Sequence, residues 1–146
     1  MPATLRTIVI LAAAVIVGAL AAPAMAQNIA EADARAVQSV IDSQIGAFRA
    51  GDDQKAYSFA APGIKAVFPT VERFMAMVKG GYQPVYDPQS YRFGRNLLVG
   101  DQVHQEVIIT DRQGKLWQAV YTLSQQKDGS WKITGVKLNP FTGQSV

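Results

Sequence analysis

Apolar positions recur every three to four residues through the first half of the chain and every two residues through the second, and this change of period divides the molecule. Val37, Val40, Ile41, Gln44, Ile45 and Phe48 fall on one face of a 3.6-residue repeat, which predicts an amphipathic helix with a broad surface to cover. Gly51 follows, and glycine closes a helix end in the left-handed conformation without strain at Cβ. Asp52 can then cap a second helix, residues 52–60, which turns Ala56, Tyr57, Phe59 and Ala60 inward. Pro62 cannot extend that helix, because its ring removes a donor and clashes with the preceding turn. Two helices joined so tightly fold into one angled layer. Ile64, Val67 and Phe68 add a short apolar turn, Thr70 caps a third helix carrying Phe74, Met77 and Val78, and Gly80-Gly81 stops it, so the helical half ends at about Lys79. Upstream, Asn28 with Glu31 three residues on has the form of a capping box, placing the start of the first helix near Ile29.

After Gly81 the reading becomes that of strands. Pro84 and Pro88 bracket an irregular Val85-Tyr86-Asp87, and Tyr91 and Phe93 then alternate with Ser90 and Arg92 as in a half-buried strand. Across residues 102–110, Val103, Gln105, Val107 and Ile109 share one face, while His104, Glu106, Ile108 and Thr110 share the other. A turn at 111–115 leads to a strand with Trp117, Ala119, Tyr121 and Leu123 on one side. Asp128-Gly129 is a hairpin signal. A closing strand follows at 131–138, and the tail 139–146 is expected to be loose. Strands joined by such short loops pair antiparallel. Helices followed by a meander predict an α+β domain, three helices on one face of a curled, cone-like sheet of about four strands.

The N-terminus adds an address. Arg6 precedes an apolar run at residues 7–22, and Ala24-Met25-Ala26 is the small-x-small pattern of a signal-peptidase site. The run is near the lower limit of ~17 residues for a spanning helix, but Pro23 and the small residues favour cleavage after Ala26. The 146-residue chain then loses 26 residues and keeps 120, a single periplasmic or secreted domain at 27–146 without stable membrane insertion. Loss of Arg6 leaves 13 of the 14 basic residues against 11 acidic ones, a formal charge of +2. That is too little to argue for nucleic acid, and the lysines at 115, 127, 132 and 137 form no stripe. The absence of cysteine excludes a disulfide framework. Stability has to come from a packed core.

Four stretches carry a resemblance: residues 44–52, the closure at 59–64, residues 72–78, and the hairpin 128–133. Together they resemble the short exported bacterial proteins grouped as domain of unknown function 4864, over nearly the whole mature chain. More distantly, the helix-Gly-Asp-helix opening and the meander resemble the nuclear-transport-factor-2-like cone. That likeness implies a pocket between the helices and the sheet, but a fold with so many uses implies no chemistry.

The residues themselves argue against catalysis and name no catalytic set. The acid or base candidates are His104, Glu106, Asp87, Asp42, Asp52 and Asp53, and His104 is the single histidine. Its strand parity places it with Glu106 on the outer face, where both read as solvated strand positions. Asp52 and Asp53 read as a cap and a first-turn charge, and Asp87 as a turn residue. With one histidine and no cysteine, no zinc site or other metal site is expected, and no cofactor is implied. Gly80-Gly81 and Gly94 lack the lysine of a phosphate loop. Gln105 stands out, a polar amide in an apolar strand face, where an unpaired amide costs about 1–3 kcal/mol. A curled sheet would set Gln105, Tyr121, Trp117 and Tyr57 around an apolar pocket for a small ligand; a satisfied core amide is the plainer reading. The expectation is a noncatalytic protein that binds a small apolar ligand in its cone. The alternatives are a protein-association or homodimerisation module using an outer patch at Val120 and Val136, and an isomerase- or hydrolase-like enzyme with an acid or base in the pocket.

Overall fold

The computed structural model describes residues 28–143, so the export segment read at residues 1–26 lies outside the described residues. Five helical segments come first: α1 (Glu31–Arg49), α2 (Asp53–Ser58), α3 (Pro62–Val67), α4 (Val71–Gly81) and α5 (Gln83–Tyr86). Four strands follow, β1 (Ser90–Val99), β2 (Gln102–Thr110), β3 (Leu116–Gln125) and β4 (Trp131–Pro140), in one antiparallel sheet of that order. The helices cover one face of the sheet, and the class is the α+β arrangement that the change of period predicts. Among the described residues no helix is long and apolar enough to cross a membrane.

α1 buries Val37, Ile41, Ile45 and Phe48 along the expected stripe. Its start differs from the expectation. Ala30 is the N-cap and makes no side-chain bond, so the Asn28–Glu31 capping box does not form; Glu31 instead pairs with Arg35 one turn on. At the other end Gly51 has φ +69°, the left-handed break that the Gly-Asp pair implied. Asp52 accepts from the Lys55 N–H at 3.1 Å and opens α2.

Two apolar segments turned out to be helical. Pro62 does not merely end α2; it sits in the first turn of α3, where its missing N–H is no loss, and the turn through Ile64 becomes a helix of its own. The segment between Pro84 and Pro88, expected to be irregular, forms α5 by the same use of proline, with Val85 buried. α4 is capped by Thr70, as read, but runs through both glycines to Gly81 because Tyr82 closes it.

The sheet carries two irregularities that the alternation did not show. In β1, Phe93 faces Val107 and Asn96 faces Gln105, so Gly94 and Arg95 together oppose Glu106. In β4, Ile133 faces Leu123 and Gly135 faces Thr122, leaving Thr134 as an extra residue. A bulge reverses the parity of everything beyond it. Val136 therefore faces Tyr121 and packs against the core, not outward with Val120 as its spacing suggested. β4 also continues to Pro140, and Phe141 donates its N–H to the Leu116 carbonyl at 3.1 Å, so the tail is held at least to that point.

The buried stripe of α1 joins Val103, Val107 and Ile109 of β2 and Ala119, Tyr121 and Leu123 of β3 in one core, and those six strand residues are wholly buried. The α2–α3 connection covers the free edge of β4. There Ala61 donates to the Ile133 carbonyl at 2.8 Å, and Ile133 donates to the Phe59 carbonyl at 2.9 Å.

Candidate functional site

Where α1, α3, α4 and α5 meet β4, they leave an apolar cavity of about 250 Å³. Phe48, Ile64, Phe68, Phe74, Met77 and Val136 are among the apolar residues of its wall. Its polar side chains are Gln44 and Tyr82, and both are committed to backbone carbonyls. Gln44 donates to the Ala56 carbonyl at 3.2 Å, tying α1 to α2. The Tyr82 hydroxyl donates to the Val136 carbonyl at 3.3 Å, tying the end of α4 to the edge of the sheet. No carboxylate, imidazole or amine is among the described lining residues.

None of the four residues singled out from the sequence lines this cavity, although one of them supports its wall. The Tyr57 hydroxyl donates to the Phe68 carbonyl at 2.7 Å, and its ring leans on Phe74 with centroids 5.3 Å apart. It thus fixes two wall residues from behind, with the Lys65 ammonium 5.0 Å from its own ring centre.

Gln105 is a fully buried amide. Its Nε2 donates to the carbonyls of Glu106 at 2.8 Å, Gly94 at 3.3 Å and Arg95 at 3.4 Å, and its Oε1 accepts from Gln38 at 3.2 Å and Asn96 at 3.5 Å. The two carbonyls at positions 94 and 95 belong to the β1 bulge, where the regular ladder is interrupted. The amide in the apolar face is there to satisfy a strand irregularity.

Tyr121 is opposite Gln105 in the register and is also wholly buried. Its hydroxyl has no hydrogen-bond partner among the described residues, and burial pushes its pKa far up. Trp117 lies elsewhere. Its indole N–H donates to Asp111 Oδ2 at 2.8 Å, and the Lys115 ammonium sits 4.2 Å from the ring centre. The structure brings Gln105 and Tyr121 together inside the core and leaves Tyr57 and Trp117 apart from them.

The acidic candidates are surface features, except one. Asp87 accepts twice from Arg112, at 3.1 and 2.7 Å, and that bond holds its carboxyl below the ordinary range. The Trp117 indole does the same for Asp111, with backbone N–H groups of Lys115 and Gln113 adding to it. Glu106 departs from the solvated position expected of it, since it is only 3% exposed. The missing side chain of Gly94 makes the room: a Cβ there would stand 2.1 Å from the Glu106 carboxylate. Gln118 donates to that carboxylate, and the Arg95 main-chain N–H reaches it at 3.4 Å. His104 is half-buried beside it on the outer face.

The sequence reading missed Gln44 and Tyr82 as cavity residues. Gln44 carried the same signal as Gln105, an amide within an apolar stripe. Tyr82 carried none, because its partner is a main-chain carbonyl more than fifty residues away.

A solved structure matches this architecture: an NTF-2-like protein of unknown function from Silicibacter pomeroyi, 16% identical, with 77% of this chain and 100% of that one covered and a TM-score of 0.52. At that identity the likeness speaks for the fold alone. No curated protein matches the sequence. Over residues 30–146 the sequence matches the family described as Domain of unknown function (DUF4864), and the chain belongs to that family.

Proposed function

We propose that this protein is a noncatalytic, exported binding module that takes a small apolar ligand into the cavity between α1, α3, α4 and β4. The observation that carries this reading is the lining itself: an apolar hollow whose two polar side chains are already bonded to the backbone. Such a wall rewards removal of apolar surface from water and offers no proton-transfer group. The homodimer alternative has less support than the spacing suggested, because the bulge in β4 pairs Val136 with the buried Tyr121, and Val136 only borders the outer face.

Native mass spectrometry of protein purified from its own periplasm tests the reading, with a co-purifying apolar molecule as the expected result. A ligand-free protein that also fails to gain thermal stability from any apolar probe would overturn it. The export reading is supported by Arg6, the run at 7–22 and Ala24-Met25-Ala26. The purified protein should begin at Gln27; an intact residue 1–26 segment would restore the anchor.

A further inference from the structure

At about 250 Å³ the cavity falls below the ~300–1,000 Å³ usual for ligand pockets. A ligand of ordinary size seated there projects through the mouth. What it would meet outside is on the other side of β4. A second concavity, of about 550 Å³, lies on the outer face of the sheet, and its walls share Gly135 and Val136 with the first. β4 is the last strand of the sheet, so only its outer edge separates the two hollows at Gly135 and Val136. That edge is low at Gly135, where a Cβ would meet nothing within 4 Å.

The outer hollow is charged where the inner one is apolar. In the register, Gly135 faces Thr122, which faces His104; Lys137 faces Val120, which faces Glu106. Arg95, His104 and Lys137 all line the hollow. The ion pairs among the described residues are Arg35–Glu31 and Arg112–Asp87, so neither Arg95 nor Lys137 is joined to a carboxylate there. Glu106 is the one carboxylate in the wall, and it is buried and engaged by Gln118 and the Arg95 N–H. Two cations against one covered anion give the hollow an attraction for negative charge.

We infer that the ligand is a single-chain anionic amphiphile. Its apolar end fills the cavity, its chain crosses the edge of β4 at Gly135, and its carboxylate or phosphate head is held by Lys137, with Arg95 and His104 beside it. The cation–anion contact supplies a preference for charged heads that the apolar cavity cannot supply alone. This inference rests on the ligand-binding reading of the cavity.

Calorimetric titration of the purified protein with dodecanoate, dodecyl phosphate and dodecanol tests it. At least one of the two anions should bind about tenfold more tightly than the alcohol; the better anion identifies the head group. Lys137→Gln should remove most of that gap and leave the alcohol unchanged, while Lys137→Arg keeps it. Gly135→Leu should weaken the anions without lowering the melting temperature, since its side chain enters open space. Equal affinity for the alcohol and both anions, or a gap that survives Lys137→Gln, would overturn the amphiphile while leaving the apolar cavity standing. Failure of all three probes to bind would overturn both.

Discussion

Gln105, read from the sequence as either a pocket contact or a core amide, is wholly buried and bonded around the β1 bulge. Of its five hydrogen bonds, two run to carbonyls exposed by that bulge. Gln105→Leu should therefore destabilise by about 1–3 kcal/mol, because it leaves buried carbonyls and two amide groups without partners. Thermal melts with and without periplasmic extract check this, and the ligand-induced shift should equal that of the wild type. Tyr91 gives a second residue-scale expectation. Burial, followed by its hydrogen bond to Asp42, pushes its pKa up to about 12 from an ordinary 10.0. A raised pKa means that the folded state favours the protonated phenol, so the contribution is complete below pH 10.0 and fades as pH rises through about 12. The stability difference between wild type and Tyr91→Phe should accordingly shrink over that interval. A difference that stays constant in denaturant melts across it would contradict the assignment.

At the scale of elements, the helix boundaries follow rules that act within a few residues. Gly51 with φ +69° is the clearest, and Gly51→Val should destabilise by more than ~1 kcal/mol because a β-branched side chain is strained there. The open space around its Cβ position removes any clash from the account, so urea melts of this variant isolate backbone strain. The Thr70 cap of α4 and the Asp52 cap of α2 belong to the same class of local signal. The strands behave differently. Their alternation placed Val103, Gln105, Val107 and Ile109 correctly inside, yet the bulges at Gly94–Arg95 and Thr134 escaped it. Gly94 was the available hint, a glycine directly after an alternating pair. Thr134 offered none, since threonine is an ordinary strand residue.

For the whole molecule the decisive feature is the cavity, which belongs to no element. Phe74 stands in its wall, held from behind by the Tyr57 ring. Phe74→Ala should destabilise by about 3–5 kcal/mol through lost burial and the enlarged void. Added apolar ligand should restore part of that loss by binding only the folded state, with a shift that grows with ligand concentration. A variant as stable as wild type, or one insensitive to every apolar probe, would show that this wall does not enclose a binding site.

The sequence by itself determined the class of the fold, because hydrophobic period, glycine conformation and N-capping are properties of near neighbours and act before any tertiary contact forms. It also determined that α1 has a broad face to cover and that Gln105 is anomalous in an apolar strand. Only the tertiary structure decided what the anomaly does, since the partners of Gln105 come from Gln38 on α1 and from the bulge in β1. The same holds for Val136, whose facing depends on one extra residue in a strand ladder, and for Glu106, whose burial depends on the space above Gly94. Trp117 and Tyr121 were grouped with Gln105 by a shared inward strand face, and Tyr57 by the expected curl of the sheet. The Tyr57 hydroxyl and the Trp117 indole instead bond to Phe68 and Asp111, six to eleven residues away along the chain, because those partners need no curled sheet to reach them.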